Sequence, residues 1–242
     1  MVANTTPLWL FDLDNTLHNA SHAIFPAINL NMNSYIGQIL ADAGLASDTA
    51  AVNALRQQYW QRYGATLAGM VRHHAVRAED FLREAHRFDN LAQMIQAERG
   101  LAHLLKRLPG RKILLTNAPQ AYAKSVLRHL GLHPHFDRHI SIESMQVHGQ
   151  LRPKPSRQFL RKLLATQRIA ARRCILVEDT VENLRAAKRM GMRTAWMTGY
   201  LRRTPPVAGM MQKPVRLARR PAYVDFKVGS LYKLARCVAV AR

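Results

Sequence analysis

The stretch Leu8-Trp9-Leu10-Phe11-Asp12-Leu13-Asp14-Asn15-Thr16-Leu17 decides how the rest of the chain is read. An apolar run that stops abruptly in carboxylates predicts a buried strand that delivers charge at its C-terminal tip. Working outward, the same pattern recurs. Lys112-Ile113-Leu114-Leu115-Thr116-Asn117 predicts a second strand, with Pro119 opening a helix that runs toward Leu130 and stops at Gly131. Cys174-Ile175-Leu176-Val177-Glu178-Asp179 predicts a third, followed by a helix from Val181 to Met190 that ends at Gly191. Thr194 to Met197, closed by Gly199, reads as a fourth, and Tyr223 to Val228 as the last. Strands that alternate with helices of this length predict an α/β protein with a mostly parallel sheet covered on both faces. Ligands of such sheets bind beyond the carboxyl ends of the strands, where this chain puts Asp12, Asp14, Thr116, Asn117, Glu178 and Asp179.

Between the first two strands the pattern turns helical. Helices are expected from Ile28 to Ala43, Ala50 to Tyr63 and Ala78 to Arg87, with Gly64 and Gly69 marking a break. The chain therefore divides into a discontinuous core, residues 1–17 and 100–242, and an inserted α-helical cap domain, residues 18–99. An insertion at the catalytic edge is positioned to act as a lid.

Composition narrows the rest. A chain of 242 residues with 48% apolar content supports a normally packed globular protein. It contains no apolar run of the roughly 18 residues that a membrane span needs, and no basic region followed by a hydrophobic segment at the N-terminus, so a cytoplasmic home is expected. The two cysteines, Cys174 and Cys237, form no Cys-x-x-Cys pair and define neither a disulfide framework nor a zinc site. Lys and Arg number 36 against 15 Asp and Glu, a formal charge of +21 that attracts anions. Much of the excess lies after Arg202, where Asp225 is the single acid, so this tail reads as a basic appendage separable from the chemistry. Within it, residues 202–222, with Pro205-Pro206, Pro214 and Pro221, read as an irregular loop able to contact anions or nucleic acid nonspecifically.

The chemistry follows from the strand tips. Asp12 and Asp14, two apart on an extended segment, project to the same side. One carboxylate, Asp12, can attack a phosphoryl group, while the other, Asp14, protonates the departing alkoxide and later activates water. The moving charge calls for Mg²⁺ held by oxygens, from Asp12, the backbone carbonyl of Asp14 and Asp179. Thr116 and Asn117 offer a hydroxyl, an amide and backbone N–H groups at a helix start, suited to binding phosphate. Lys154, in Arg152-Pro153-Lys154-Pro155, would set a fixed positive charge against phosphoryl oxygens and nucleophile. Taken singly, Thr116 and Asn117 read as a helix cap, Lys154 as a solvated lysine, and Glu178 and Asp179 as helix-dipole partners. A calcium loop at Asp12 is disfavoured because Leu17 stands where its turn needs glycine. Their appearance together and in order favours the functional reading.

In that order, Asp12-Leu13-Asp14-Asn15-Thr16, Thr116-Asn117, Lys154 and Glu178-Asp179 resemble the four motifs of the haloacid dehalogenase-like superfamily. The resemblance implies a Rossmann-like core with a helical cap inserted after the first motif. Asp14, absent from the dehalogenase and ATPase branches, implies a phosphatase or phosphomutase. Glu178 stands where many members have Asp, which leaves its part in metal ligation open. The cap residues Tyr59, Tyr63, Gly64, Thr66, Leu67, Gly69, Met70, Phe81 and His86, with Asp14-Asn15-Thr16-Leu17-His18 at the cap entrance, resemble pyrimidine 5′-nucleotidases. That implies hydrolysis of UMP, CMP or a related nucleoside monophosphate. The alternatives are the same chemistry on a sugar phosphate or phosphoglycolate, and a basic nucleic-acid-binding protein that uses the core as a scaffold.

Overall fold

The computed structural model describes residues 6–203, 217 and 219–240. In chain order its elements are β1 (Leu8–Phe11), then the helices α1 (Ile24–Asp42), α2 (Thr49–Tyr63), α3 (Thr66–His73), α4 (Ala78–Ala85) and α5 (Leu91–Met94). After α6 (Leu101–Arg107) come β2 (Arg111–Leu115), α7 (Gln120–His129), β3 (Arg138–Ile140), and the hairpin of β4 (Gln146–Val147) and β5 (Gln150–Leu151). The chain closes with α8 (Arg157–Thr166), β6 (Cys174–Glu178), α9 (Val181–Arg189), β7 (Arg193–Met197), α10 (Gly199–Arg203), β8 (Phe226–Val228) and α11 (Leu231–Val240).

The main sheet has six strands in the order β3-β2-β1-β6-β7-β8, and every neighbouring pair is parallel. This is the parallel α/β architecture that the strand-helix alternation predicts, and the Rossmann-like core that the resemblance implies. Alternation along each strand explains its stability. Leu8, Leu10, Ile113, Leu115, Leu176 and Trp196 meet Phe159, Leu160 and Leu163 of α8 and Leu184 and Ala187 of α9 in one core. On the opposite face Trp9 stacks on Phe11, which meets Phe136 edge-on, each pair with ring centroids 5.9 Å apart. All four residues of β1 are buried, the signature of a central strand covered on both sides.

The helices α1 to α5 form a compact unit of their own, His22–Met94 among the described residues. Its core joins Ile36 and Leu40 of α1, Val52 and Tyr59 of α2, Met70 of α3 and Phe81 and Ala85 of α4. Asp48 caps α2, accepting hydrogen bonds from the N–H groups of Ala50 and Ala51. Gly64 ends that helix in the left-handed conformation. Gly69, expected as a second break, instead lies inside α3, where a Cβ would stand 2.1 Å from the Tyr59 ring; it is a packing glycine that lets α3 approach α2. Likewise Gly199 does not merely close β7. It begins α10, and its α-carbon passes so near the Gly229 carbonyl that a Cβ would lie 2.1 Å from that oxygen.

In the basic tail the expected last strand forms, within Tyr223 to Val228, but the expected appendage does not. Phe226–Val228 is the edge strand β8, and Asp225 receives hydrogen bonds from Lys188 and from the N–H and hydroxyl of Thr194, so the described end of the chain is core rather than appendage. Residues 204–216 and 218 of the segment 202–222 lie outside the described residues. Strand β3 was not foreseen, because Arg138-His139-Ile140 carries little apolar pattern and is recruited by pairing with β2. No helix among the described residues is long and apolar enough to cross a membrane.

Candidate active site

Parallel register brings three strand tips side by side. Phe11 pairs with Leu114 and with Val177, so the next residues outward are Asp12 in the centre, the Leu115-Thr116 tip on one side and Glu178-Asp179 on the other. The ladder runs one bond further, from the Asp12 N–H to the Val177 carbonyl, at 2.9 Å. Asp12 is thus held by backbone as rigidly as the strand itself.

Lys154 reaches this centre from the loop before α8. Its Nζ donates to Asp12 Oδ1 and to Glu178 Oε2, both at 2.7 Å, and its side chain is 2% exposed. Asn117 secures the loop, for its amide donates to the Lys154 carbonyl and accepts from the Lys154 N–H, both at 2.9 Å. The side chain of Asn117, expected to offer its amide to a ligand, is therefore committed to the lysine backbone. Thr116 is buried beside it, and its hydroxyl oxygen accepts from the Ala118 N–H at 3.1 Å.

On the other side, Asp179 Oδ1 accepts from the Thr180 hydroxyl at 3.0 Å and Glu178 Oε1 from the Thr180 N–H at 3.2 Å. The Trp196 indole donates to the Asp179 carbonyl at 2.9 Å, tying this tip to β7. Oxygens of Asp12, Glu178 and Asp179 lie within 4.8 Å of one another. Three carboxylates so close and so buried leave one lysine to balance them. Burial and then Glu178 push the Asp12 carboxyl up to about 7, against the opposing pull of Lys154. Asp179 is raised well above the usual carboxylate range by burial, Glu178 and Asp12. Burial alone would lower Lys154, but Asp12 and Glu178 raise it, so it stays charged. A small divalent cation suits this arrangement: the donors are hard oxygens, and its charge offsets the remaining repulsion.

Asp14 sits apart from that cluster. The extended segment ends at Phe11, and Asn15, with φ at 57°, turns the chain so that the Leu17 N–H bonds back to the Leu13 carbonyl at 2.8 Å. Asn15 braces the turn through Ser21, whose N–H and hydroxyl bond its amide. Asp14 Oδ1 accepts from the Tyr122 hydroxyl at 2.6 Å and lies 2.9 Å from His18 Nε2. Neither partner was foreseen in this role. His18 is four residues along in the same turn, a spacing readable in sequence, whereas Tyr122 is brought in by the first turn of α7.

This arrangement, with a carboxylate at the central strand tip, a second one two residues on, a buried lysine and an acidic pair at the neighbouring tip, defines a class. The chain belongs to the haloacid dehalogenase-like hydrolase family, whose model matches residues 8–191. It is similar to a 5′-nucleotidase of Pseudomonas aeruginosa, 27% identical over 197 residues that span 77% of this chain and 80% of that protein. Among solved structures it resembles a haloacid dehalogenase phosphatase of Thermococcus onnurineus, with a TM-score of 0.61, 17% identity and coverage of 96% and 98% of the two chains. A hydrolase of this fold from Bacillus subtilis, YfnB, crystallised with magnesium, aligns with a TM-score of 0.56 and 14% identity over 96% and 98%. The last two likenesses concern fold.

Proposed function

We propose that this hydrolase is a Mg²⁺-dependent phosphomonoesterase that works through an aspartyl-phosphate on Asp12. The observation that carries the reading is the division between two carboxylates: Asp12 buried against Lys154 and the acidic pair, Asp14 held separately by Tyr122 and His18. A nucleophile and an acid-base group need such different surroundings. Asp12 attacks phosphorus, the ester P–O bond breaks, and Asp14 gives its proton to the departing oxygen. Asp14 then takes a proton from water, which attacks the acyl phosphate and releases inorganic phosphate and free Asp12. Lys154 neutralises charge on the phosphoryl oxygens and keeps the nucleophile oriented, and the Thr116 hydroxyl binds a phosphoryl oxygen with the backbone N–H of Asn117. Asp12, Asp179 and the Asp14 carbonyl would hold Mg²⁺, with Glu178 beside them. When bound, the ion neutralises the phosphate and offsets the repulsion among the carboxylates.

For the substrate, we favour a pyrimidine nucleoside monophosphate. The support is the cap sequence around Tyr59, Tyr63-Gly64 and Gly69-Met70 and the similarity to a 5′-nucleotidase. Purified protein with Mg²⁺ would be screened against UMP, CMP, purine monophosphates, sugar phosphates and phosphoglycolate, with release of phosphate as readout. The highest kcat/KM is expected on UMP or CMP. Equal or faster hydrolysis of sugar phosphates or phosphoglycolate would overturn the substrate, and no phosphate release from any ester would overturn the reaction.

A further inference from the structure

Asp14 is gripped by two buried donors that the chemistry above does not otherwise use. Tyr122 is 4% exposed and His18 is 0% exposed. The tyrosine hydroxyl donates to Asp14 Oδ1 at 2.6 Å, His18 Nε2 lies 2.9 Å from the same oxygen, and the two partners are 3.3 Å from each other. His18 Nδ1 is buried with no partner among the described residues, which places the ring proton on Nε2: an orphaned lone pair is tolerated more readily than an orphaned N–H. Both neighbours therefore donate to one carboxyl oxygen. An oxygen that accepts two hydrogen bonds is a poor place for an acidic proton, which belongs instead on Oδ2.

We infer that Tyr122 and His18 are positioning residues that anchor Asp14 through Oδ1 and so direct its transferable proton, on Oδ2, toward the leaving group. Tyr122 stands in the first turn of α7, which starts from the same β2 tip that carries Thr116. The element that presents the phosphate-binding turn thus also aims the acid. A carboxyl on a two-carbon side chain has rotational freedom that a general acid cannot keep, and fixing it within a narrow arc is what these two contacts accomplish. The step served is cleavage of the ester bond: Asp12 bonds to phosphorus, the ester oxygen leaves, and it departs with the proton from Asp14.

The inference rests on the phosphomonoesterase reading, and leaving-group dependence tests it separately. The quantity is kcat/KM, which covers steps only up to departure of the leaving group. Two probes are compared, p-nitrophenyl phosphate, whose weakly basic leaving group needs little protonation, and β-glycerol phosphate or UMP, whose alkoxide needs the proton. Tyr122→Phe is expected to lower kcat/KM on the alkyl ester by about 10-fold or more and on the nitrophenyl ester by less than about threefold. Asp14→Asn should show the same selectivity, more strongly. His18→Gln, which keeps a nitrogen donor, should retain most alkyl-ester activity, and His18→Leu should lose it. Thermal melts of each variant report folding independently. Equal losses on both probes, or no loss with Tyr122→Phe, would overturn the inference while leaving the hydrolase reading intact. A parent protein inactive on every ester would overturn that reading, and this inference with it.

Discussion

Asp12 shares its surroundings with two other carboxylates and one lysine, and that crowding governs what substitutions there should do. Asp12→Asn removes the proposed nucleophile, and turnover should fall by at least about 10⁴-fold. The fold should survive, because burial and Glu178 already disfavour the charge that is removed. A melting temperature of the metal-free variant equal to or above the parent's is the expected outcome, and near-normal activity would sink the mechanism. Much of this centre was legible beforehand. Asp12, Thr116 and Glu178-Asp179 each follow an apolar run directly, so their place at a strand tip is a local property. Asn117 was not legible in the same way. Its amide was expected to face a ligand, but it clamps the backbone of Lys154, 37 residues away, a partnership that no local pattern signals.

Among the elements, α3 shows why sequence patterns falter. A glycine inside a helix reads as a break, yet Gly69 is required where α3 presses on Tyr59. Gly69→Ala should therefore destabilise the cap unit by about 1–3 kcal/mol, although alanine is the better helix former. Limited proteolysis and urea melts would show the loss, and increased stability would contradict the packing role. At the sheet edge, Asp225 joins α9 to β7 through Lys188 and Thr194. Burial alone would raise its pKa, but the Lys188 and Thr194 hydrogen bonds outweigh that and hold it below the usual carboxylate range. A carboxyl whose folded pKa is lowered contributes stability above its unfolded value, about pH 4, and loses it as pH falls through the folded value. Asp225→Ala should cost about 1–2 kcal/mol at neutral pH, Lys188 being partly exposed to solvent. The difference from the parent should shrink in denaturant melts below about pH 4; a penalty unchanged at acid pH would show that packing, not charge, is at stake.

Across the whole molecule, the charge of +21 and the proposed metal requirement make separate predictions. Chelation with EDTA should abolish turnover, and Mg²⁺ should restore it, with no change in far-UV circular dichroism, because both cores are apolar clusters that do not include the three carboxylates. Activity indifferent to EDTA would argue against a metal at Asp12, Glu178 and Asp179. The positive field should draw anionic esters toward the protein. Raising ionic strength from about 0.01 to 0.1 M shortens the Debye length from about 30 to about 10 Å. KM for a dianionic ester should then rise several-fold while kcat holds. A salt-independent KM would mean that the excess charge lies too far from the site to matter.

What the sequence determined by itself is whatever depends on near neighbours. The apolar runs ending in carboxylates specify parallel strands with acids at their tips, and the helical periodicity between the first two strands specifies the inserted helices. What only the tertiary structure decided is which tips and loops meet. Lys154 lies 142 residues from Asp12 and Tyr122 lies 108 from Asp14. Strand order, set by burial of both sheet faces, converts those separations into 2.7 and 2.6 Å. It also makes an edge strand of Arg138–Ile140, which carries little apolar pattern of its own. The physical reason is the same throughout: local preference fixes the form of each segment, while burial and hydrogen-bond satisfaction, summed over the whole core, choose its partners.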